Sequence, residues 1–586
     1  MSSTQALSKI HLVPFGRRYE VGSGEFTTIG SGEIGGKAHG LAHMKKDLLD
    51  RFDMGPFPEF KLNIPTITVL ATDVFDHFMS QNKLYAVALS DASDTEIGLA
   101  FQHASLPPDI VGDIRALCEE VHSPLAIRSS SLFEDSLQRP FAGVYGTKMI
   151  PNNQFDSDSR FHILLEAIKF VYASTFFAEA KAYVAGTGES IQNEKMAVII
   201  QEVVGARHGD RYYPHISGVA RSYNYYRSGH AKAEDGVVNL ALGLGKTIVD
   251  GGISWSYSPA FPNANPPYKS MGEFLDQTQT TFWSVNMGKP PAHDPVKETE
   301  YMVSASVAEA EADDTLYLVA STFQPENDRV VPGISSKGPR VITFAPILSL
   351  DALPLNKLIR SLLYACEEKI GAKVEIEFAI TLSDRPNQPA RFGFLQVRPM
   401  MVTHAVLEIP EAELKGPAVV AASELVLGNG AYSGLCDILY MKPVELTEQL
   451  AWKIAAELES FNARFLADHR PYVLMAFGRL GTVDPPFGIP VVWAQISGAK
   501  VIVESAMPGR PVELSQGSHF FHNLIAAQVG YFSVPFEGEF PINWKWIEAQ
   551  EIVNESSYVR HVRTAKPLVI RIDGRSGRGV IAHESA

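Results

Sequence analysis

The chain is poor in cysteine. Cys118, Cys366 and Cys436 are its only three, and they lie far apart in sequence. This excludes a disulfide framework and any Cys-x-x-Cys metal site, and it suits a reducing compartment. An excess of positive charge is also missing. The formal net charge is −15 and no long basic stripe occurs, so nucleic acid is not an expected partner. An anionic small substrate stays open, because a site can be locally basic on an acidic protein. The opening residues MSSTQALSKIHLVPFGRRYE have no continuous apolar segment of the secretory kind, and no apolar run of about 18 residues suggests a membrane span. The expectation is a soluble cytoplasmic protein without a membrane partner. Repeats of fixed period and low-complexity tracts are absent too. What is present is ordinary globular composition, 45% hydrophobic and 20% charged over 586 residues, enough for several domains with large cores.

Helical and strand patterns alternate along most of the chain, which predicts mixed α/β structure. Residues 162–184 read as one long amphipathic helix, and MAVIIQEVV (196–204) as a buried strand. LIRSLLYACEEKIG puts Leu358, Leu362 and Cys366 on one helical face, with Gly371 as the C-terminal cap. VEIEFAI (374–380) alternates as a half-buried strand does, and RFGFLQVRP (391–399) follows after the turn-forming TLSDRPNQPA, so the two are expected to pair as a hairpin. Pro-rich segments at 261–270 and 288–295 read as loops. After Pro399 the character changes, and MMVTHAVLEIPEAELKGP reads as a linker into a separate region.

Several motifs have the chemistry to meet phosphate. SGEIGGKAHGLAHM places Gly35 and Gly36 before Lys37 at the start of a helical pattern. Glycines let backbone N–H groups approach an anion and a lysine supplies a point charge. LALGLGKTIVDGG offers a similar Gly245-Lys246-Thr247. Neither is a Walker A loop, and each reads equally as a tight turn with a solvent-facing lysine. PLAIRSSSLFEDS puts Arg128 at the end of a strand-like run, before three serines and the pair Glu134–Asp135. It is either a bidentate phosphate ligand or a surface arginine in a turn. Glu375 and Glu377 share one strand face, and Gln396 and Arg398 share a face of the next. Two carboxylates so placed call for a cation such as Mg²⁺, or else form cross-strand pairs with arginine on a solvated face. Near the C-terminus, SQGSHFFHNLIAAQ carries His519 and His522 three residues apart at a helix start. They are open to three readings: reaction centre, capping and packing residues, or a pair of metal ligands. The Gly478–Gly488 stretch reads as a structural loop or as a loop over a second substrate.

In order, these pieces resemble the nucleotide-binding region of the pyruvate phosphate dikinase and phosphoenolpyruvate synthase family. The resemblance is carried by IGGKAHGLAHM, IRSSSLFED with FAGVYG, YASTFFAEAKAY, MAVIIQEVV with SGVA, LGLGKTIVDG, VEIEFAI and FLQVRPM, spread over about residues 25–400. It implies a two-lobed ATP-grasp-type fold binding ATP and Mg²⁺, with a first lobe over 25–190, a second over 191–400, an extension before residue 25, and a separate α/β domain over 401–586. Carried over residue by residue, it implies that Lys37 and Arg128 meet ATP phosphates. Gly243 and Gly245 would line the nucleotide, Glu375 would bind its ribose, Glu377 and Gln396 would hold Mg²⁺, and Arg398 would sit on the transferred phosphate. Lys246 departs from the family's usual glutamate, and SGVARSYNYYRSG from its Phe-Thr turn.

Relatives pass phosphate to a histidine on a swivelling domain and then to pyruvate on a barrel. Only about 190 residues follow here, too few for a barrel of about 250 residues. A diverged swivelling domain fits the space. AKVIVES, SQGSHFFHNLIAAQVG and LVIRIDGRSGRGVI resemble its elements, which makes His519 the implied phosphate carrier beside Ser518 at a helix entry. The function implied is an ATP-dependent phosphotransferase acting through His519 on an unidentified small acceptor. A homo-oligomer or a partner subunit would supply the missing acceptor domain. The alternative is an ATP-binding regulatory or assembly protein without turnover.

Overall fold

The structure is a computed structural model. It describes residues 12–18, 23–131, 143–187, 190–225, 230–250, 252–264, 270–276, 278–383, 388–400, 407–444, 446–481, 488–506, 523–524, 527–535, 538–574 and 576–583. Ser518, His519 and His522 lie outside these residues, as do Glu134, Asp135 and Asp484. The chain divides into two compact units: Met1–Ser222 with Val238–Gly245 and Ser254–Pro399, and Tyr223–Val237 with Lys246–Ile253 and Met400–Ala586.

The first unit is built on two six-stranded sheets. One runs in the order Val13–Pro14, Phe26–Ile29, Ile67–Leu70, Met196–Glu202, Leu125–Ser131, Thr147–Ile150. The other runs Trp255–Tyr257, Val237–Ala241, Ile216–Arg221, Val374–Thr381, Ala390–Pro399, Phe60–Asn63. The chain thus crosses between sheets: Phe60–Asn63 completes the second sheet, and Met196–Glu202 lies inside the first, on the other side of the 190/191 division drawn from sequence. Met196–Glu202 is buried along its whole length between antiparallel neighbours on both sides, which is why it reads as a continuous apolar run.

Two local expectations need correction. The 162–184 segment is two helices, Ser157–Ser174 and Ala178–Thr187. The second is started by a residue distant in sequence, since the Ala178 N–H donates to Asp94 Oδ1 at 2.8 Å, a cap that local periodicity does not reveal. Ser157–Val184 is also the one described stretch apolar and long enough for a membrane span, where the sequence reading saw none. Its apolar positions Leu164, Ile168, Val171 and Tyr172 are buried in a protein core with Phe75 and Phe78. The second correction concerns Val374–Thr381. Its alternation suggests one wet face, but both faces are buried and Glu375 is 0% exposed. The hairpin with Ala390–Pro399 does form, in antiparallel register. The helix Leu355–Ile370 covers this sheet through Leu358, Leu362 and Cys366 and ends at Gly371 in the left-handed conformation, as the sequence predicts.

The second unit has a seven-stranded sheet in the order Val426–Leu427, Gly530–Val534, Ala499–Ser505, Tyr472–Phe477, Asp437–Met441, Val559–Arg563, Glu551–Glu555. Its four central strands, Asp437–Met441 to Gly530–Val534, are parallel. The helix Glu448–Ala467 makes the crossover between the first two. A four-stranded sheet, Val419–Ser423, Arg578–His583, Leu568–Asp573, Asn429–Tyr432, packs into the same core through Val420, Ile570 and Ile581.

Candidate functional site

The site is anchored by a turn that only glycine permits. Gly35 has φ +75°, and a Cβ there would stand 1.8 Å from the Ser130 carbonyl oxygen. This close approach seats the start of the helix Gly35–Asp47 against the strand Leu125–Ser131. Ser130 Oγ donates to the Ile34 carbonyl at 2.8 Å and accepts from the Ala38 N–H at 3.1 Å. One residue along, Lys37 Nζ donates to Ser129 Oγ at 3.2 Å. Lys37 is 8% exposed, so the solvent-facing reading of this lysine does not hold. The preceding loop is tied down by Asp73, which accepts from Ser31 N–H, Ser31 Oγ and Gly32 N–H at 2.8, 3.0 and 2.9 Å. Partial burial opposes the Asp73 carboxylate, but these hydrogen bonds outweigh it and hold its pKa below the usual value.

Arg128 lies in the middle of its strand rather than at its end. Its guanidinium reaches across to the second sheet. Nη2 donates to Gln396 Oε1 at 2.8 Å, Nη1 donates to the Leu395 carbonyl at 3.3 Å and to Gln201 Oε1 at 3.2 Å, and Nη2 sits 3.6 Å from Glu377 Oε2. The Leu395 carbonyl is available because the hairpin has a bulge there. Glu377 pairs with Gln396 and Phe378 with Phe394, which leaves Leu395 without a partner.

The two glutamates are resolved by arginines. Glu375 lies directly opposite Arg398, and Glu377 opposite Gln396. Arg398 Nε donates to Glu375 Oε1 at 2.9 Å and its Nη2 to Glu377 Oε1 at 2.6 Å. From the other side Arg221, opposite Glu375 on Ile216–Arg221, donates to Glu375 Oε2 and to Asn239 Oδ1. The cross-strand pairs foreseen from sequence therefore exist, but in the interior rather than on a solvated face. Glu375 has no exposed surface, and its carboxylate joins two arginines, Arg221 and Arg398. In a low-dielectric interior such a network is stable only because every charge has opposite charge and hydrogen bonds around it.

Arg128, Glu377, Gln396, Arg398, Glu375 and Arg221 thus form one connected cluster, and Lys37 joins it through Ser129, next in chain to Arg128. Gly243 stands apart from these bonds. It takes φ +83°, and its carbonyl accepts from Ser217 Oγ at 2.6 Å, which fixes the Gly-Leu-Gly loop; a Cβ added at Gly245 would have ordinary van der Waals contact with Ser217, at 3.8 Å. Lys246 pairs with Asp250 at 2.8 Å one helical turn on. Arg221, Gln201 and Asp73 escaped the sequence reading. The first two had a signal, each being a polar residue that closes an apolar run in its strand, Arg221 after GVA and Gln201 after MAVII.

Chemically the cluster offers guanidinium groups and a lysine for phosphate oxygens, with the oxygens of Glu377 and Gln396 as hard donors for Mg²⁺. Among the described residues no group of three or more His, Cys, Asp or Glu gathers to form a metal site from protein ligands alone. A set of two oxygens fits Mg²⁺ that is also held by a nucleotide's phosphates. A cleft of about 830 Å³ in the same unit, lined by Glu59, His208, Asp313 and Tyr317, includes none of these residues.

A search of the curated proteins returns no match. The family model described as pyruvate phosphate dikinase, AMP/ATP-binding domain, matches residues 31–414, well over half of the chain. The chain belongs to this family of ATP-binding, ATP-grasp-type proteins.

Proposed function

We propose that the protein is an ATP-dependent phosphotransferase of the dikinase type. The observation that carries this reading is the buried cluster in which Arg128, Arg398 and Arg221 converge on Glu375, Glu377 and Gln396. Lys37 and Arg128 bind ATP phosphates, Arg398 stabilises charge on the transferred group, and Glu377 with Gln396 holds Mg²⁺, which when bound neutralises phosphate charge. An imidazole nitrogen of His519 then forms a P–N bond to the β-phosphorus as the α–β P–O bond breaks and AMP departs, and water cleaves the γ-phosphate off as inorganic phosphate. The phosphoryl group passes on to a small-molecule acceptor. Neutral imidazole is a competent nucleophile near neutral pH.

The test is incubation with β- or γ-labelled ATP. Acid-labile, alkali-stable label that disappears in His519→Gln is expected. ATP binding with no label on protein or small molecule would sink the proposal. One observation favours a second reading, an ATP-binding regulatory protein without turnover: the oxygens of Glu377 and Gln396 accept from arginines in this structure. Product analysis separates the two, since a dikinase yields AMP, a simple kinase ADP, and a sensor neither.

A further inference from the structure

Among the described residues of the C-terminal unit, Arg479 has no counter-charge. It follows the strand Tyr472–Phe477 at the carboxyl edge of the parallel sheet, the edge outside which open α/β sheets bind ligands. Its backbone is fixed between Gly478 and Gly481, both left-handed at φ +84° and +76°. Gly478 N–H donates to the Ser505 carbonyl at 2.9 Å, and Leu480 N–H to Glu504 Oε1 at 2.9 Å. The obvious partner for the arginine would be Glu504, 3% exposed on the adjacent strand. Yet the two Glu504 oxygens take the Leu480 N–H and the Tyr531 hydroxyl. The Nε of Arg479 is buried without a hydrogen-bond acceptor among the described residues.

The other described arginines of this unit that are partly buried are matched: Arg470 and Arg563 by Asp437, Arg560 by Glu555, Arg571 by Glu413, and Arg578 by Glu411 and Glu424. A desolvated guanidinium N–H lacking an acceptor is costly in a folded protein unless something else supplies one. The planar Nε–Nη edge of arginine matches two oxygens of a carboxylate or phosphate.

We propose that Arg479 is the anchor of an oxyanion-binding site at this sheet edge, taking the carboxylate or phosphate group of a small molecule. Binding there requires no ATP turnover, so the site stands or falls separately from the transfer reaction. The test uses the full chain carrying Arg128→Gln, which removes an anion-binding arginine of the N-terminal unit. Thermal unfolding is followed with increasing inorganic phosphate and, separately, acetate. A concentration-dependent rise in Tm is expected with at least one of them, and the arm that responds identifies the anion. Adding Arg479→Gln should weaken that apparent affinity about tenfold or more. Arg479→Lys, which keeps the charge but not the fork, should give a smaller loss and serves if the glutamine variant does not fold. No response to either anion, or the same response with and without Arg479, overturns the proposal and leaves Nε bonded to water.

Discussion

Replacing Gly35 with alanine tests whether the phosphate-binding end of the first helix is set by one backbone contact. The new Cβ would lie 1.8 Å from the Ser130 oxygen, 2.4 Å from its carbonyl carbon and 2.5 Å from its Oγ. Two of these atoms are main chain in a strand where Ser130 is paired with Ala197, so neither can swing away freely. Relief must come from the helix lifting off the sheet. Three hydrogen bonds are then lost, Ser130 to Ile34, Ala38 to Ser130 and Lys37 to Ser129, at about 1 kcal/mol each. Holding alanine at φ +75° adds about 1–2 kcal/mol. The expected destabilisation is therefore roughly 4–5 kcal/mol, read by urea unfolding. ATP affinity should fall about tenfold or more as Lys37 leaves its place, since a charge-assisted hydrogen bond contributes about 1.5–3 kcal/mol. Gly40 in the same helix is the control. A Cβ there meets only the Val397 oxygen at 3.9 Å, so Gly40→Ala should be neutral or stabilising by up to about 1 kcal/mol. If Gly35→Ala unfolds within about 0.5 kcal/mol of the parent and binds ATP as well, the reasoning fails.

Arg398→Met should cost about 3 kcal/mol of stability, because it leaves two carboxylates short of charge in the interior. Combining it with Glu375→Gln should return part of that loss in a double-mutant cycle, and simple additivity would refute the coupling. Burial, then Glu298 and Asp94, push the Glu179 carboxyl up to about 7. A carboxyl whose folded pKa is raised loses stability as pH rises from the unfolded value near 4.5 to about 7. Glu179→Gln should therefore raise Tm clearly at pH 8 and much less at pH 5, and an equal gain at both would rule this out. Asp73 shifts the other way, so its contribution is present at neutral pH and disappears as pH falls through its lowered folded pKa. Asp73→Asn should cost about 1–2 kcal/mol at pH 7, with the gap to the parent closing in acid during a pH series of denaturation curves.

Motif order and spacing were enough for the family and for the identity of most of the cluster. Gly35, Gly36 and Lys37 open a helix, Arg128 stands in a strand before serines, and Glu375, Glu377, Gln396 and Arg398 face one another across a hairpin. These are local facts: spacing decides which side chains share a strand face, and a glycine pair marks a tight approach. Gly371 as a helix stop and the apolar strand Met196–Glu202 were legible for the same reason. What those residues meet depends on how distant segments pack. Arg221 comes from a strand more than 150 residues away in sequence from Glu375, and a bulge at Leu395 gives Arg128 a carbonyl to bind. Burial turned a nominally half-wet strand into an interior one, so that the Glu–Arg pairs expected on a solvated face form inside the protein. Pairing partners and dielectric depend on which segments pack together, and periodicity along the chain carries no information about either.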